Sequence, residues 1–274
     1  MNAFFKALLE EQNYKKTYLC VGLDPHLDKL PQSMRGEKDH VFGFLKAIVD
    51  ATQEYACCFK PQIAYFSAYG LETTLEQIIT YIKEQYPKCP VILDAKRNDI
   101  GSTADMYAIE AYKRYGADAV TANPYMGGDT LSSFTQYKDK GVFVLCRTSN
   151  EGAKEFQNLT VGDGQPLYSF VAERAINHWT KYDNIGLVVG ATAIKELRKI
   201  RDHFPEAWFL VPGVGAQGGD LEAVIEYGRR VDNQGGIIIN SARGILYASE
   251  GDDFAEAAKA EAQKLQSIMA KSFS

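Results

Sequence analysis

Residues 90–100 read Pro90-Val91-Ile92-Leu93-Asp94-Ala95-Lys96-Arg97-Asn98-Asp99-Ile100. A short apolar run rich in β-branched residues opens the stretch and charged residues close it, the composition of a buried strand that ends in a polar turn. Alternation along a strand sends Asp94 and Lys96 out of the same face, side by side, and Asp99 follows in the loop beyond. Buried charges are costly unless paired. Two acids and a lysine at the end of a core strand therefore point to a site where a substrate meets a prearranged field. A structural ion pair beneath a loop would use the same residues.

The same unit recurs along the chain: an apolar run, a polar or glycine-bearing turn, then a stretch of helical periodicity. Eight strands are predicted, at residues 18–23, 58–63, 91–95, 119–122, 142–146, 185–189, 209–211 and 236–240. Helical spacing fills the gaps, for example at 41–56 and 71–86; an amphipathic segment at 2–12 precedes the first strand and a helix at 254–269 closes the chain. Strands alternating with helices imply parallel pairing with right-handed crossovers, and eight units is the number at which such a sheet closes into a (β/α)8 TIM barrel. An open doubly wound sheet is the alternative. Against it, no GxGxxG follows the first strand, where Val21-Gly-Leu-Asp-Pro25 stands instead. Residues 147–167 are polar and glycine-rich and are expected to form one long loop after strand five, a lid candidate rather than a domain boundary. One barrel domain is expected to span residues 1–274.

Composition narrows the function. A net charge of −5 and a pI near 5.5 give no global basic field for nucleic acid or an anionic membrane, so an anionic ligand must be held by local groups. No apolar run reaches the ~18 residues of a membrane span. The N-terminal segment carries acids where a secretory signal would be apolar, which makes the cytoplasm the expected compartment. Cys20, Cys57, Cys58, Cys89 and Cys146 form no CxxC pair and read as buried thiols. His26, His40, His178 and His203 lack ligand spacing, so no metal site is expected, and His26 and His40 read as loop or surface residues.

In a barrel the chemistry sits at the C-terminal ends of the strands. There the sequence places Asp24 after strand one, Lys60 in strand two, Asp94 and Lys96 in strand three, and Thr148 and Ser149 after strand five. Pro212-Gly-Val-Gly-Ala-Gln-Gly-Gly219 and Asn240-Ser-Ala-Arg-Gly-Ile245 follow strands seven and eight. Glycines let backbone N–H groups approach an anion and Arg243 offers a bidentate fork, so these two loops suit a phosphate. Taken singly, the glycines read equally well as turn residues, Arg243 as a surface charge, Lys60 as an ion-paired lysine and Asp24 as a turn acid.

These segments resemble the orotidine 5′-monophosphate decarboxylase family. Leu93-Asp-Ala-Lys-Arg-Asn-Asp-Ile100 is similar to its Asp-x-Lys-x-x-Asp-Ile signature, and Val21-Gly-Leu-Asp-Pro25, Phe59-Lys-Pro61, the 212–219 loop and Ser241-Ala-Arg-Gly244 resemble other family segments in the expected order, from about residue 18 to 248. Asn123-Pro-Tyr-Met-Gly-Gly-Asp129 and Cys146-Arg-Thr-Ser-Asn150 resemble the longer bacterial, type 2-like branch; Glu151 stands where that branch carries proline, which touches loop geometry rather than the charged cluster. The resemblance implies cofactor-independent decarboxylation of orotidine 5′-monophosphate to uridine 5′-monophosphate. It makes Lys60, Asp94, Lys96 and Asp99 the charged network, with Lys96 the proton donor to C6 of the pyrimidine. It further implies a homodimer in which Asp99, Ile100 and Thr103 cross to the partner's site, with Asp24 and Lys60 on ribose hydroxyls, Ser149 at the pyrimidine, and Gln217 and Arg243 on phosphate. Three rivals share parts of the pattern: a Mg2+-dependent sugar-phosphate decarboxylase, a phosphate-sugar isomerase, and a catalytically silent nucleotide-binding barrel.

Overall fold

The computed structural model describes residues 1–162, 164–214, 219–230 and 235–273. Numbering only the barrel strands, these are β1 Leu19–Leu23, β2 Cys58–Pro61, β3 Ile92–Arg97, β4 Ala119–Ala122, β5 Gly141–Arg147, β6 Ile185–Val189, β7 Phe209–Pro212 and β8 Ile237–Ser241. They form one parallel sheet in the order β2-β1-β8-β7-β6-β5-β4-β3. Two isolated parallel bridges, Phe59 to Val91 and Gln62 to Asp94, join its outer strands β2 and β3 and close a single (β/α)8 TIM barrel. Most of these strands are buried along their whole length, which is why they read in the sequence as unbroken apolar runs.

Helices wrap the cylinder through apolar stripes. His40–Thr52 buries Val41, Phe44, Leu45, Ile48, Val49 and Thr52, the three-and-four spacing that presents one face to the strands. Glu72–Gln85 does the same with Leu75, Ile78, Ile79 and Ile82, and Phe254–Ala270 packs against the first of these helices. The N-terminal helix Ala3–Lys15 stoppers the N-terminal end of the barrel. Phe5 stacks on Trp208 at 4.9 Å, and Phe4 and Phe5 both meet the edge or face of Phe143 inside the cylinder. Asn2 caps this helix by accepting from the Phe5 amide and donating to the Lys140 carbonyl, so the stopper is fixed at both helix and barrel.

Two expectations change. Strand two stops at Pro61, and Ile63 already opens a helix, Ile63–Ser67. The segment after β5 is not a featureless loop: it folds into a short helix, Ala153–Phe156, and an antiparallel ribbon pairing Thr160–Val161 with Gln165–Pro166. Amides of Leu167 and Tyr168 donate to Leu159 and Gln157 carbonyls, so the excursion satisfies its own backbone before entering helix Leu167–Arg174. All five cysteines are free and buried, as the sequence predicts. No helix is long and apolar enough to cross a membrane among the described residues.

At the closed end, Arg201 on helix Ile194–His203 is buried and donates to the carbonyls of Ala207, Gly228 and Gly236 at 2.6–3.0 Å, tying together the entries to β7 and β8. Truncation orphans several buried acceptors at once. Arg201→Ala is expected to lose about 3–4 kcal/mol of stability, read from the urea midpoint, while the open mouth, at the opposite end, keeps its geometry.

Candidate active site

The open end of the barrel is organised by an irregularity in β3. Leu93 pairs with Val120 and Arg97 with Ala122, so Asp94, Ala95 and Lys96 together face the single residue Thr121 of β4. The surplus residues bulge out of the ladder. Lys96 takes a left-handed backbone conformation, φ +47°, which costs a non-glycine residue about 1–2 kcal/mol. Asp94 and Lys96 do come together, but through this bulge rather than by the regular alternation expected from the sequence. The amides of Ala95 and Lys96 both donate to Thr121 Oγ1, at 3.0 and 2.9 Å, instead of to a ladder carbonyl.

Asp94 sits at the centre of the charge. Its Oδ2 accepts from Lys60 Nζ at 2.8 Å, and its Oδ1 accepts from Lys96 Nζ at 2.7 Å and from Thr121 Oγ1 at 2.7 Å. Lys60 is only 3% exposed, whereas Lys96 reaches the open mouth. Burial alone would favour the neutral form of Asp94, but Lys60 and Lys96 outweigh it and hold the carboxyl well below its usual range. Burial likewise opposes the charge on Lys60. Asp94, with Asp24 behind it, more than reverses that and raises the ammonium's pKa. The Asp94 contribution to stability is therefore complete above the ordinary carboxylate range and is lost as pH falls through its lowered pKa; the Lys60 contribution is lost on the alkaline side, as pH rises through its raised one.

Asp24 follows β1 on the same rim. Tyr247 Oη donates to its carbonyl and accepts from the His26 amide, both at 2.8 Å, which pins the turn that carries it. Burial drives the Asp24 carboxyl pKa up, against the pull of Lys60. Its Oδ1 and the Oδ1 of Asn240 on β8 are buried without a hydrogen-bond partner among the described residues, two acceptors suited to hydroxyl groups of a ligand. Glycine at position 22 makes this approach possible: a Cβ there would stand 2.6 Å from Ala242 Cβ and 3.2 Å from Asn240 Oδ1.

Ser149 is half-buried after β5 and packs on Gly190 at the end of β6, where a Cβ would lie 2.7 Å from the Ser149 amide nitrogen. Arg243 is exposed at the start of helix Arg243–Leu246. Gln217 lies outside the described residues; the Gly219 amide donates to the Gly213 carbonyl nearby. Asp99 is not brought to Lys96: its Oδ1 accepts from the Ile100 amide, and it forms no ion pair among the described residues. Ile100 and Thr103 are exposed beside it. The sequence reading missed Thr121 and Asn240. Both are inward-pointing positions near strand ends, the one signal that could have marked them. A separate apolar cleft lined by Tyr125, Phe156, Tyr168 and Trp179 opens beside the loops after β4 and β5, away from the charged row.

Residues 17–260 match the orotidine 5′-phosphate decarboxylase / HUMPS family, a span that holds every residue of this rim. The chain belongs to this family. It is 52% identical over 266 residues to the orotidine 5′-phosphate decarboxylase of Cellvibrio japonicus, covering 96% of this chain and 97% of that one. Among solved structures, the OMP decarboxylase of Leishmania donovani superposes with a TM-score of 0.84 at 40% identity, covering 98% of this chain and 99% of its own. The UMP synthase of the same organism also gives 0.84 at 41% identity; 97% of this chain is covered but only 57% of that longer one.

The raised pKa of Asp24 has a stability consequence. A carboxyl that binds its proton more tightly folded than unfolded destabilises the fold once ionised, so the penalty grows as pH rises above the unfolded value of about 3.9. Asp24→Asn is expected to unfold at higher urea than the parent at pH 7, with the difference closing toward about pH 4.

Proposed function

We propose that this chain, as one catalytic barrel domain of residues 1–274, decarboxylates orotidine 5′-monophosphate to uridine 5′-monophosphate and CO2 in the cytoplasm, the last step of pyrimidine nucleotide synthesis, without a cofactor. The row Lys60–Asp94–Lys96 at the mouth of the barrel carries this reading, in a chain whose relatives bear that enzyme's name.

Cleavage of the bond from C6 to the carboxylate leaves its electron pair on C6, in an orbital that the pyrimidine π system does not delocalise. Stabilisation must come through space. A fixed ammonium at 4 Å is worth about 1 kcal/mol in bulk water and about 4 kcal/mol at an effective dielectric near 20, so the cation has to be held in place and water kept away. Lys96 is held by Asp94, and its ammonium stabilises the C6 vinyl carbanion that departing CO2 leaves and then protonates it; water restores that proton afterwards. Asp94 faces the departing carboxylate and holds both ammoniums in place. In this reading Asp24 and Lys60 bind ribose hydroxyls, Ser149 meets the pyrimidine, and Gln217 and Arg243 take the phosphate, whose binding energy helps close the mouth.

Asp99, which finds no cation among the described residues of its own chain, completes the network of a second copy, with Ile100 and Thr103 beside it. Support for this isologous homodimer comes from the apolar surface around it: Ile100 is 61% exposed and Met106 58%, with Ile109 on the same helix face as Met106.

EDTA-treated protein is expected to convert orotidine 5′-monophosphate fully to uridine 5′-monophosphate, followed by ultraviolet absorbance. Lys96→Ala should abolish nearly all turnover, and Arg243→Ala should lower kcat/KM chiefly through weaker phosphate binding. Turnover only of a sugar phosphate, and only with Mg2+, would transfer the chain to the metal-dependent rival, and nucleotide binding without CO2 release to the silent one. The shared site has its own test. Mixed and reassembled Lys96→Ala and Asp99→Ala proteins should recover activity that neither shows alone, because a heterodimer holds one intact site; a mixture as inactive as its parts would remove Asp99 from the partner's site.

A further inference from the structure

Thr121 has no place in the roles set out above, yet its hydroxyl is fully used. It accepts from the Ala95 amide at 3.0 Å and the Lys96 amide at 2.9 Å, and it lies 2.7 Å from Asp94 Oδ1. A hydroxyl has two acceptor sites and one proton. With both acceptor sites taken by backbone amides, the proton can go only to the Asp94 carboxylate. The side chain is 1% exposed, so no solvent competes for these bonds.

We infer that Thr121 is a positioning residue that sets where Lys96 stands. The same oxygen grips Lys96 at both ends: directly at its backbone N–H, and through Asp94 Oδ1 at its Nζ, which rests 2.7 Å from that carboxylate oxygen. It also supplies the two acceptors that the bulge of β3 takes away from the ladder, so the left-handed conformation of Lys96 has somewhere to send its amide. Valine at this position keeps the shape and loses all three bonds. Serine keeps the bonds and loses only a methyl group.

The inference rests on the decarboxylase reading, and the experiment separates the two. Wild type, Thr121→Val and Thr121→Ser are compared for kcat and KM on orotidine 5′-monophosphate, for uridine 5′-monophosphate affinity, and for melting temperature, and the crystal structure of Thr121→Val is determined. Thr121→Val is expected to lose roughly 10- to 100-fold in kcat, the scale of a hydrogen bond to a charged group, with KM and product affinity within about threefold of wild type. Thr121→Ser should recover most of kcat. In the Thr121→Val crystal, Lys96 should leave its positive φ or its contact with Asp94. A Thr121→Val enzyme within threefold of the wild-type kcat overturns the assignment, as does a Thr121→Ser enzyme no better than Thr121→Val, or a parallel loss of turnover and product affinity. If Thr121→Val does not fold, Thr121→Cys, the sulfur counterpart of Thr121→Ser and only a weak donor and acceptor, takes its place and is read against Thr121→Ser with the same expectations. A wild type that releases no CO2 overturns the decarboxylase reading instead, and the crystal structure then decides alone, an unchanged Lys96 counting against Thr121.

Discussion

The Asp94 carboxylate takes three hydrogen bonds, from Lys60, Lys96 and Thr121, and the upper half of the barrel is arranged around them. Lys60 comes from β2, Asp94 and Lys96 from β3, and Thr121 from β4, so three adjacent strands converge on one pair of oxygens. Each partner answers a cost incurred by another. Burial works against the charge on Lys60 and Asp94 offsets it, while burial works against ionised Asp94 and the two cations offset that. Removing Lys60 or Asp94 leaves the other buried and uncompensated, which is why the cluster has to be understood as a unit rather than as separate pairs.

The rest of the molecule divides by end. At the closed end, aromatic packing of Phe4, Phe5, Phe143 and Trp208, with Arg201 on its carbonyls, supplies stability without any chemistry. At the open end lie a left-handed Lys96, an Asp24 whose ionisation is opposed by burial, and an Asn240 oxygen without a partner among the described residues. A barrel can hold such groups because the strands below them are fixed on both faces.

Much of this was legible from the chain alone. Eight strands could be counted because most are buried along their whole length and read as apolar runs, and Asp24, Lys60, Asp94 and Lys96 could be placed because they stand at or near the ends of such runs. The bulge could not be seen. Nothing in Leu93-Asp-Ala-Lys-Arg97 distinguishes regular alternation from surplus residues facing one partner, since the difference lies in the register with β4. Thr121 stayed hidden for the same reason: a threonine in Ala119-Val-Thr-Ala122 is an ordinary strand former until the bulge in the neighbouring strand turns that strand's amides away from the ladder. The ribbon after β5 escaped because strands of two residues are too short to show a period. Asp99 does lie in the loop beyond the strand, but spacing alone could not show that its carboxylate turns to the Ile100 amide instead of to Lys96.

The closing seam of the cylinder lies between β2 and β3, where backbone pairing thins to two isolated bridges. Lys60 and Asp94 face each other across that seam. Attraction between side chains thus adds there to the pairing that a continuous ladder supplies between the other strands, and the hoop is fastened by charges that sit at its open mouth. Exchanging this charged pair would therefore do two things at once, changing the field at the mouth and loosening the joint that keeps the sheet round.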